Sequence, residues 1–274
     1  MQEKWQCKIA PSLGGGFDGT PNKCWGTVNY KNSIDPTVFF GMYGFPDFIG
    51  LWKHKGKKAI LWCGSDIQHF LNGYWLDEKG QIKIRPFDLA SWIDTYCENY
   101  VENDLEQSAL RSVGIRSKVV PSFLGNVNKY KINFKPGNKV YTSVSGDDFK
   151  LYGWDKIPQL AQDNPDIEFH LYGSTVPINP VAPNIIVHGR VTKKQMNKEI
   201  KKMQGALRLT EFDGASELIV KAMLMGQYAF SFIEYPFVNK VSELSSLLEK
   251  KEPNKEGRNW WLSKLNQYLW NINI

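Results

Sequence analysis

With 274 residues, 42% of them hydrophobic and 23% charged, the chain can bury one large core or two of about 130 residues each. It is too apolar for disorder and too evenly charged for a fibre. Its net charge of +6 is uneven, since residues 1–125 carry 14 Lys and Arg against 13 Asp and Glu, whereas 126–274 carry 20 against 15. An excess of five suits a phosphate-bearing ligand but falls short of the dense basic stripe of a nucleic-acid binder, so no nucleic-acid partner is expected.

Residues 5–10 read as a strand entering a glycine-rich loop, PSLGGG at 11–16. Residues 37–43 (TVFFGMY) form a buried strand, 46–53 a short helix with Pro46 in its first turn, and 58–63 (KAILWC) a second strand. Strand, helix, strand implies a parallel pair. Residues 101–113 set Leu105, Ala109, Leu110 and Val113 at helical spacing before Gly114, and 117–121 (SKVVP) return to a strand. After a polar linker at 125–138 the grammar repeats, with strands at 140–144, 167–172, 185–188, 207–209 and 228–233. Helices are expected at 154–162, 193–203, 215–225 (ended by Gly226) and 242–249, and an aromatic one at 259–270.

This alternation predicts an α/β fold of parallel sheets covered on both faces. The expected architecture is two Rossmann-like domains facing across a cleft, compact, with a C-terminal helix. The expected boundaries are 1–124 and 125–256, with 257–274 as a helix packing back on the first domain. No apolar run approaches the roughly 20 residues that cross a bilayer, and the start MQEKWQCKIA lacks the apolar stretch of a secretory signal. The expectation is a cytoplasmic protein. Cys7, Cys24, Cys63 and Cys97 are far apart and form no C-x-x-C pair, which favours reduced thiols over a metal site or a disulfide framework.

Several positions can carry chemistry. In the turn that opens the helix after 207–209, Asp213, Gly214 and Ser216 leave backbone N–H groups for a diphosphate or a sugar hydroxyl, and Glu211 and Asp213 can accept from sugar hydroxyls. The competing reading is that Asp213 or Ser216 only caps the helix. Gly14, Gly15 and Gly16 stand at a strand's carboxyl end, where open sheets bind ligands, or else form a loop with no ligand. Asp66, with Ser65 before it and His69 a turn later, either faces an incoming hydroxyl or caps a helix. His54, His170 and His188 do not cluster by spacing, and His170 reads as a strand histidine.

Segment 207–226, LRLTEFDGASELIVKAMLMG, resembles the donor-site signature of retaining glycosyltransferases of the two-Rossmann GT-B fold, especially family four. The stretches YGWDKIP (152–158), PDIEFHLYGS (165–174) and HGRV (188–191) agree in order and spacing with the donor half of that fold. WCGSD (62–66) is similar to a motif of its acceptor half. The resemblance implies metal-independent transfer of a sugar from a nucleoside diphosphate sugar to an acceptor hydroxyl, with retained configuration. It implies no cofactor beyond that co-substrate and no metal.

The roles implied follow position. Glu211, Asp213, Gly214, Ser216 and Glu217 would hold the sugar and phosphates; Gly146, Lys150, Arg190 and Lys221 would stabilise the diphosphate. Tyr172, Gly173 and Ser174, with His188, Gly189 and Val191, would border the base, while Gly14, Gly15, Gly16, Ser65, Asp66 and His69 would face a glycan, lipid-linked or other hydroxyl acceptor. The basic tract KHKGKK at 53–58 is either a solvated helix end or a peripheral contact with anionic lipid on the inner face of a membrane.

Two departures stand out. Where the family pattern has a second carboxylate, this chain has Lys221, one helical turn after Glu217, so an i, i+4 ion pair is the bland alternative. In the loop SVSGDDFKLYG (143–153), Asp147 and Tyr152 occupy the places of an Arg and a Lys, leaving Lys150 and Arg190 as the nearby cations. These departures favour an alternative function, a non-catalytic module that binds a nucleotide, a glycan or a protein partner.

Overall fold

The computed structural model describes residues 4–13, 20–72, 86–144, 148–174 and 182–271. Two compact units divide it. Unit 1 comprises 1–125, 212–215 and 264–274, and unit 2 comprises 126–211 and 216–263.

Unit 1 holds a six-stranded parallel sheet in the order β2-β1-β3-β4-β5-β6. Its strands are β1 (Gln6–Ile9), β2 (Val28–Asn29), β3 (Thr37–Phe40), β4 (Lys58–Leu61), β5 (Glu98–Val101) and β6 (Lys118–Val119). The connecting helices are α1 (Thr20–Trp25), α2 (Phe45–Lys53), α3 (Ser65–Leu71), α4 (Pro86–Tyr96) and α5 (Asp104–Arg111). Because side chains alternate along a strand, Phe39, Ile60 and Val101 pack on one face beneath α2, α3, α4 and α5. Val38, Phe40, Ala59, Leu61 and Tyr100 pack on the other face with Trp25, Tyr268 and Trp270.

Unit 2 holds a second six-stranded parallel sheet, β12-β11-β10-β7-β8-β9. Its strands are β7 (Lys139–Ser143), β8 (Glu168–Tyr172), β9 (Ile185–Gly189), β10 (Gly205–Arg208), β11 (Tyr228–Ser231) and β12 (Asn239–Lys240). The helices are α6 (Ile157–Asp163), α7 (Lys193–Glu199), α8 (Glu217–Leu224) and α9 (Lys255–Lys264), and a 3-10 run covers Val241–Glu249. One core gathers Val140, Phe169, Leu171, Leu207 and Phe230 under Trp154, Ile157, Leu244 and Leu247.

The structure differs from the sequence reading at several places, and α1, β2, α4 and β12 have no counterpart in it. Residues 98–101 form β5 rather than the lead-in to a helix, because Asn103 caps α5 by accepting from Glu106 N at 2.9 Å. The expected 242–249 α-helix is a 3-10 run. The terminal helix occupies Lys255–Lys264 in place of 259–270. It ends where Asn266 takes a φ of 56° and bonds away from the helix, donating to Phe123 O (2.8 Å) and accepting from Phe123 N (2.9 Å). All four cysteines are free thiols. No described helix is long and apolar enough to cross a membrane.

Candidate functional site

In unit 2 the strand order reverses between β7 and β10, and open α/β sheets leave a crevice at the carboxyl end of such a reversal. A cavity of about 420 Å³ lies there, a size that suits a small-molecule ligand. Ser143 and Val144 at the end of β7 and Tyr172 and Gly173 at the end of β8 form one side. Lys193 and Met196 on α7, with Glu217, Leu218 and Lys221 on α8, form the other.

The backbone at Gly173 explains how the two strand ends come so close. Its φ is +103°, and a Cβ there would overlap the Val144 carbonyl oxygen. Gly173 N donates to Gly189 O at 2.8 Å, and Val144 N donates to Tyr172 O at 3.0 Å, so the ends of β7, β8 and β9 are tied together.

Behind the Tyr172 wall lies a polar chain that spacing alone kept apart. Parallel pairing of β8 with β9 brings His170 Nδ1 within 2.8 Å of His188 Nε2. His170 Nε2 is 2.6 Å from Glu168 Oε1, and Lys139 Nζ is 2.8 Å from the same oxygen. The His188 ring stacks on Tyr172 with centroids 4.3 Å apart, and Tyr172 OH donates to Glu199 Oε2 at 2.8 Å. Burial pushes His170 below the ordinary imidazole range, although Glu168 opposes the shift. The chain fixes the Tyr172 ring in the cavity wall.

On α8, Lys221 and Glu217 form the i, i+4 ion pair, with Nζ 3.0 Å from Oε1. Lys193 Nζ reaches the same oxygen at 3.0 Å. The Lys221 side chain is only 7% exposed. Burial lowers its pKa, with Glu217 acting in the opposite direction. Burial raises the Glu217 pKa, but the two lysines outweigh it and hold the carboxylate below its ordinary range.

Of the donor-binding residues expected from sequence, Tyr172, Gly173, Val191, Glu217 and Lys221 line the cavity. Ser174 is buried, and His188 and Gly189 stand behind the Tyr172–Gly173 wall. Arg190 is exposed and donates from Nε to Gly173 O at 3.2 Å. Glu211 is exposed and paired with Lys156 Nζ at 2.7 Å. Ser216 is the buried N-cap residue of α8 but makes no side-chain cap bond. Lys150 is exposed in the turn before Gly153, and the Tyr152 ring carries the Arg208 guanidinium 4.8 Å above it. Gly14, Gly15, Gly16, Gly146 and Asp147 lie outside the described residues.

Asp213 and Gly214 belong to unit 1, not to the cavity wall. Asn103 Nδ2 donates to Asp213 O at 2.7 Å, and Ala215 N donates to Glu102 Oε2 at 2.7 Å. A Cβ on Gly214 would overlap the Glu102 carboxylate, so glycine is what lets this turn approach. Glu106 Oε2 accepts from Glu102 N at 2.6 Å, while its Oε1 is buried with no hydrogen-bond partner among the described residues.

Asp66 is fully buried in unit 1. Its Oδ1 accepts from Cys63 N and Ile67 N, both at 2.9 Å, and its Oδ2 from Met42 N at 2.8 Å. Burial pushes its carboxyl up to about 6 against the pull of those amides. So placed, the carboxylate ties the ends of β3 and β4 to the start of α3, and the N-cap of α3 is Gly64. Ser65 and His69 are exposed on α3, with the His69 ring 6.2 Å from Tyr43.

Sequence reasoning missed Ser143, Lys193 and Met196 as cavity residues. The available signal for Lys193 was the cap at Thr192, whose Oγ1 accepts from Gln195 N at 3.1 Å and fixes where α7 begins.

Compared by sequence, the chain matches no family model and no curated protein. Compared by fold, it is similar to the lipopolysaccharide outer core galactosyltransferase WaaB, with a TM-score of 0.56 and 13% identity over 97% of this chain and 96% of that one. It is similar to sucrose-phosphate synthase from Thermosynechococcus elongatus (TM-score 0.57, 10% identity, 83% of this chain and 69% of that one). A third is a variant of S. aureus TarM crystallised with fondaparinux, alpha-GlcNAc-glycerol and UDP (TM-score 0.54, 11% identity, 85% and 52%). The chain spans about half the length of TarM. These proteins are GT-B glycosyltransferases, and the two parallel six-stranded sheets of this chain give it the same α/β fold class, the GT-B type.

Proposed function

We propose that this chain transfers a sugar from a nucleoside diphosphate sugar to an acceptor hydroxyl, without a metal and with retention of configuration. The observation that carries the reading is the cavity at the carboxyl end of the unit 2 sheet, which has two lysines and one carboxylate on its wall. In that role the departing diphosphate gains negative charge, and cations already held in place stabilise it without reorganising. Lys193 and Lys221 would supply that field from the wall, with Lys150 and Arg190 as the exposed cations of neighbouring loops. The flat Tyr172 ring, backed by His188, offers a face for the base.

The acceptor would be a glycan, a lipid-linked sugar or another hydroxyl compound. Peripheral contact with anionic lipid on the cytoplasmic face of a membrane is supported by Lys53, Lys55 and Lys57, all exposed beside Trp52, which is 56% exposed. His54, in the same tract, is buried between Tyr30 and Phe39 and takes no part in that surface.

The test is nucleotide release from a panel of nucleoside diphosphate sugars, with and without hydroxyl acceptors and with a chelator present. One donor is expected to release its nucleotide with acceptor stimulation, and NMR of the product is expected to show the anomeric configuration retained. Lys221 favours a second reading, a non-catalytic binding module. Nucleotide binding without release from any donor would select it.

A further inference from the structure

We propose that His170 and His188 form a two-step proton switch in the wall of the unit 2 cavity: one added proton leaves the Tyr172 ring held, and a second drives His188 away from it. The device goes beyond the nucleotide-sugar reading and does not depend on it.

Three observations carry it. First, His170 Nδ1 and His188 Nε2 are 2.8 Å apart, and a contact between two ring nitrogens holds one hydrogen, donated by one ring and accepted by the other. Glu168 Oε1, kept ionised by Lys139, accepts from His170 Nε2 at 2.6 Å, so that nitrogen carries a hydrogen of its own. With no added proton, His188 Nε2 therefore donates to His170 Nδ1, and His188 Nδ1 turns a lone pair toward Glu199 Oε2, 3.7 Å away. One added proton breaks no bond, because it gives His188 Nδ1 a hydrogen that faces the Glu199 carboxylate. A second puts a hydrogen on both facing nitrogens, and two charged rings meet donor to donor.

Second, the surroundings decide which ring gives way. Burial, opposed by Glu168 and reinforced by His188 and Lys139, keeps His170 below the ordinary imidazole range, so the second step falls on the acid side of the first. The His170 side chain is 8% exposed and anchored by Glu168, whereas that of His188 is 23% exposed, so His188 is the ring that moves. Third, His188 is the ring stacked on Tyr172, with centroids 4.3 Å and planes 8° apart. The Tyr172 hydroxyl donates to Glu199 Oε2 at 2.8 Å, so departure of His188 leaves the tyrosine tethered at its tip and unsupported on its face. Other polar groups on the packed elements are engaged: Tyr141 OH on β7 donates to Gln227, Gln195 Nε2 on α7 donates to Glu199 Oε1, and Arg190 Nε after β9 donates to Gly173 O.

NMR of the full chain with labelled histidine and tyrosine rings tests this, since the chain has only four histidines and each can be assigned by substitution. Between pH ~8 and ~4 the pair is expected to take up its two protons in steps at least about one pH unit apart. The Tyr172 ring signals are expected to hold through the first step and move through the second. His188→Phe keeps a flat ring on Tyr172 and abolishes the pair, so its Tyr172 signals are expected to stay in place across the range. Glu199→Gln removes the carboxylate facing His188 Nδ1 and is expected to shift the first step to lower pH.

Tyr141, buried in the same sheet, is the internal reference for unfolding of unit 2. The proposal is overturned if both histidines titrate together in one step, if the Tyr172 signals cross the second step unchanged, or if His188→Phe shows the wild-type movement. Movement of Tyr141 together with Tyr172 also overturns it, because the whole unit is then unfolding. No ligand enters the experiment, so failed nucleotide binding leaves the switch standing and a failed switch leaves the nucleotide-sugar reading standing.

Discussion

Replacing Trp270 by Ala is expected to lower the stability of unit 1 by about 3–5 kcal/mol, the usual cost of removing a buried tryptophan. Trp270 is 1% exposed. Its ring lies 4.6 Å from Tyr268 in a stacked pair, 4.9 Å from Tyr100 and 5.9 Å from Trp5. It packs on the face of the sheet that carries Val38, Phe40 and Leu61. Asn266 delivers it, by accepting from Phe123 N and Trp25 Nε1 and so turning the chain out of α9 into this core. Trp270→Phe is expected to cost far less than Trp270→Ala. It keeps most of the ring volume and removes an indole N–H that has no partner among the described residues. Denaturant unfolding followed by two probes, one in each unit, checks this. The transition of unit 1 should move to lower denaturant while that of unit 2 stays, and equal losses in Phe and Ala variants would refute the packing argument.

The second large effect is on pH. Glu102 and Glu106 stand one turn apart at the carboxyl end of β5, both buried, with Asp66 and Asp213 nearby. Burial pushes Glu102 up to about 7, partly offset by the bonds from Ser122 and Ala215. Burial and the neighbouring Glu102 push Glu106 well above the ordinary carboxylate range. An unfolded Glu titrates near ~4.3. Between that value and about 7 the folded chain therefore holds more protons than the unfolded chain. The stability these groups contribute is fully present below the unfolded value and is lost as pH rises through the folded one. For Glu102 alone the loss is on the order of 3 kcal/mol between pH ~5 and ~8. Asp66, raised to about 6, acts in the same direction. Glu106→Gln keeps an acceptor for Glu102 N, removes the like charge, and should flatten the profile. Denaturation midpoints across that window measure it; a profile rising with pH would contradict the placement of these carboxylates.

How much of this was legible in sequence depends on how local the cause was. Runs such as TVFFGMY and IEFHLY announce β3 and β8 because both faces of a parallel strand are apolar, and Gly226 marks the end of α8. β5 was hidden because its four residues run directly into α5, and only the cap at Asn103 separates them. The end of α9 was hidden because Asn266 is fixed by Phe123 and Trp25, more than 140 residues away in sequence. At the site, Lys221 with Glu217 could be read from helical spacing alone. The His170–His188 contact required the register of β8 with β9, and Lys193 joined the site only through the sheet order that sets α7 beside α8. Asp66 had the right motif position but three backbone amides claim its oxygens, which no spacing reveals.

If the unit 2 cavity is a nucleotide site, filling it with a larger side chain should abolish binding. Met196 lies on the cavity wall without belonging to the Lys–Glu cluster or the strand ends. Met196→Trp should fill the space with a side chain large enough to exclude a ligand. Calorimetric titration of wild type and Met196→Trp with nucleoside diphosphates is the measurement. Saturable binding of one nucleotide by the wild type, weakened at least tenfold by Met196→Trp at an unchanged melting temperature, is the predicted result. Binding that survives the blocked cavity, or no binding of any nucleotide by a folded wild type, would contradict it.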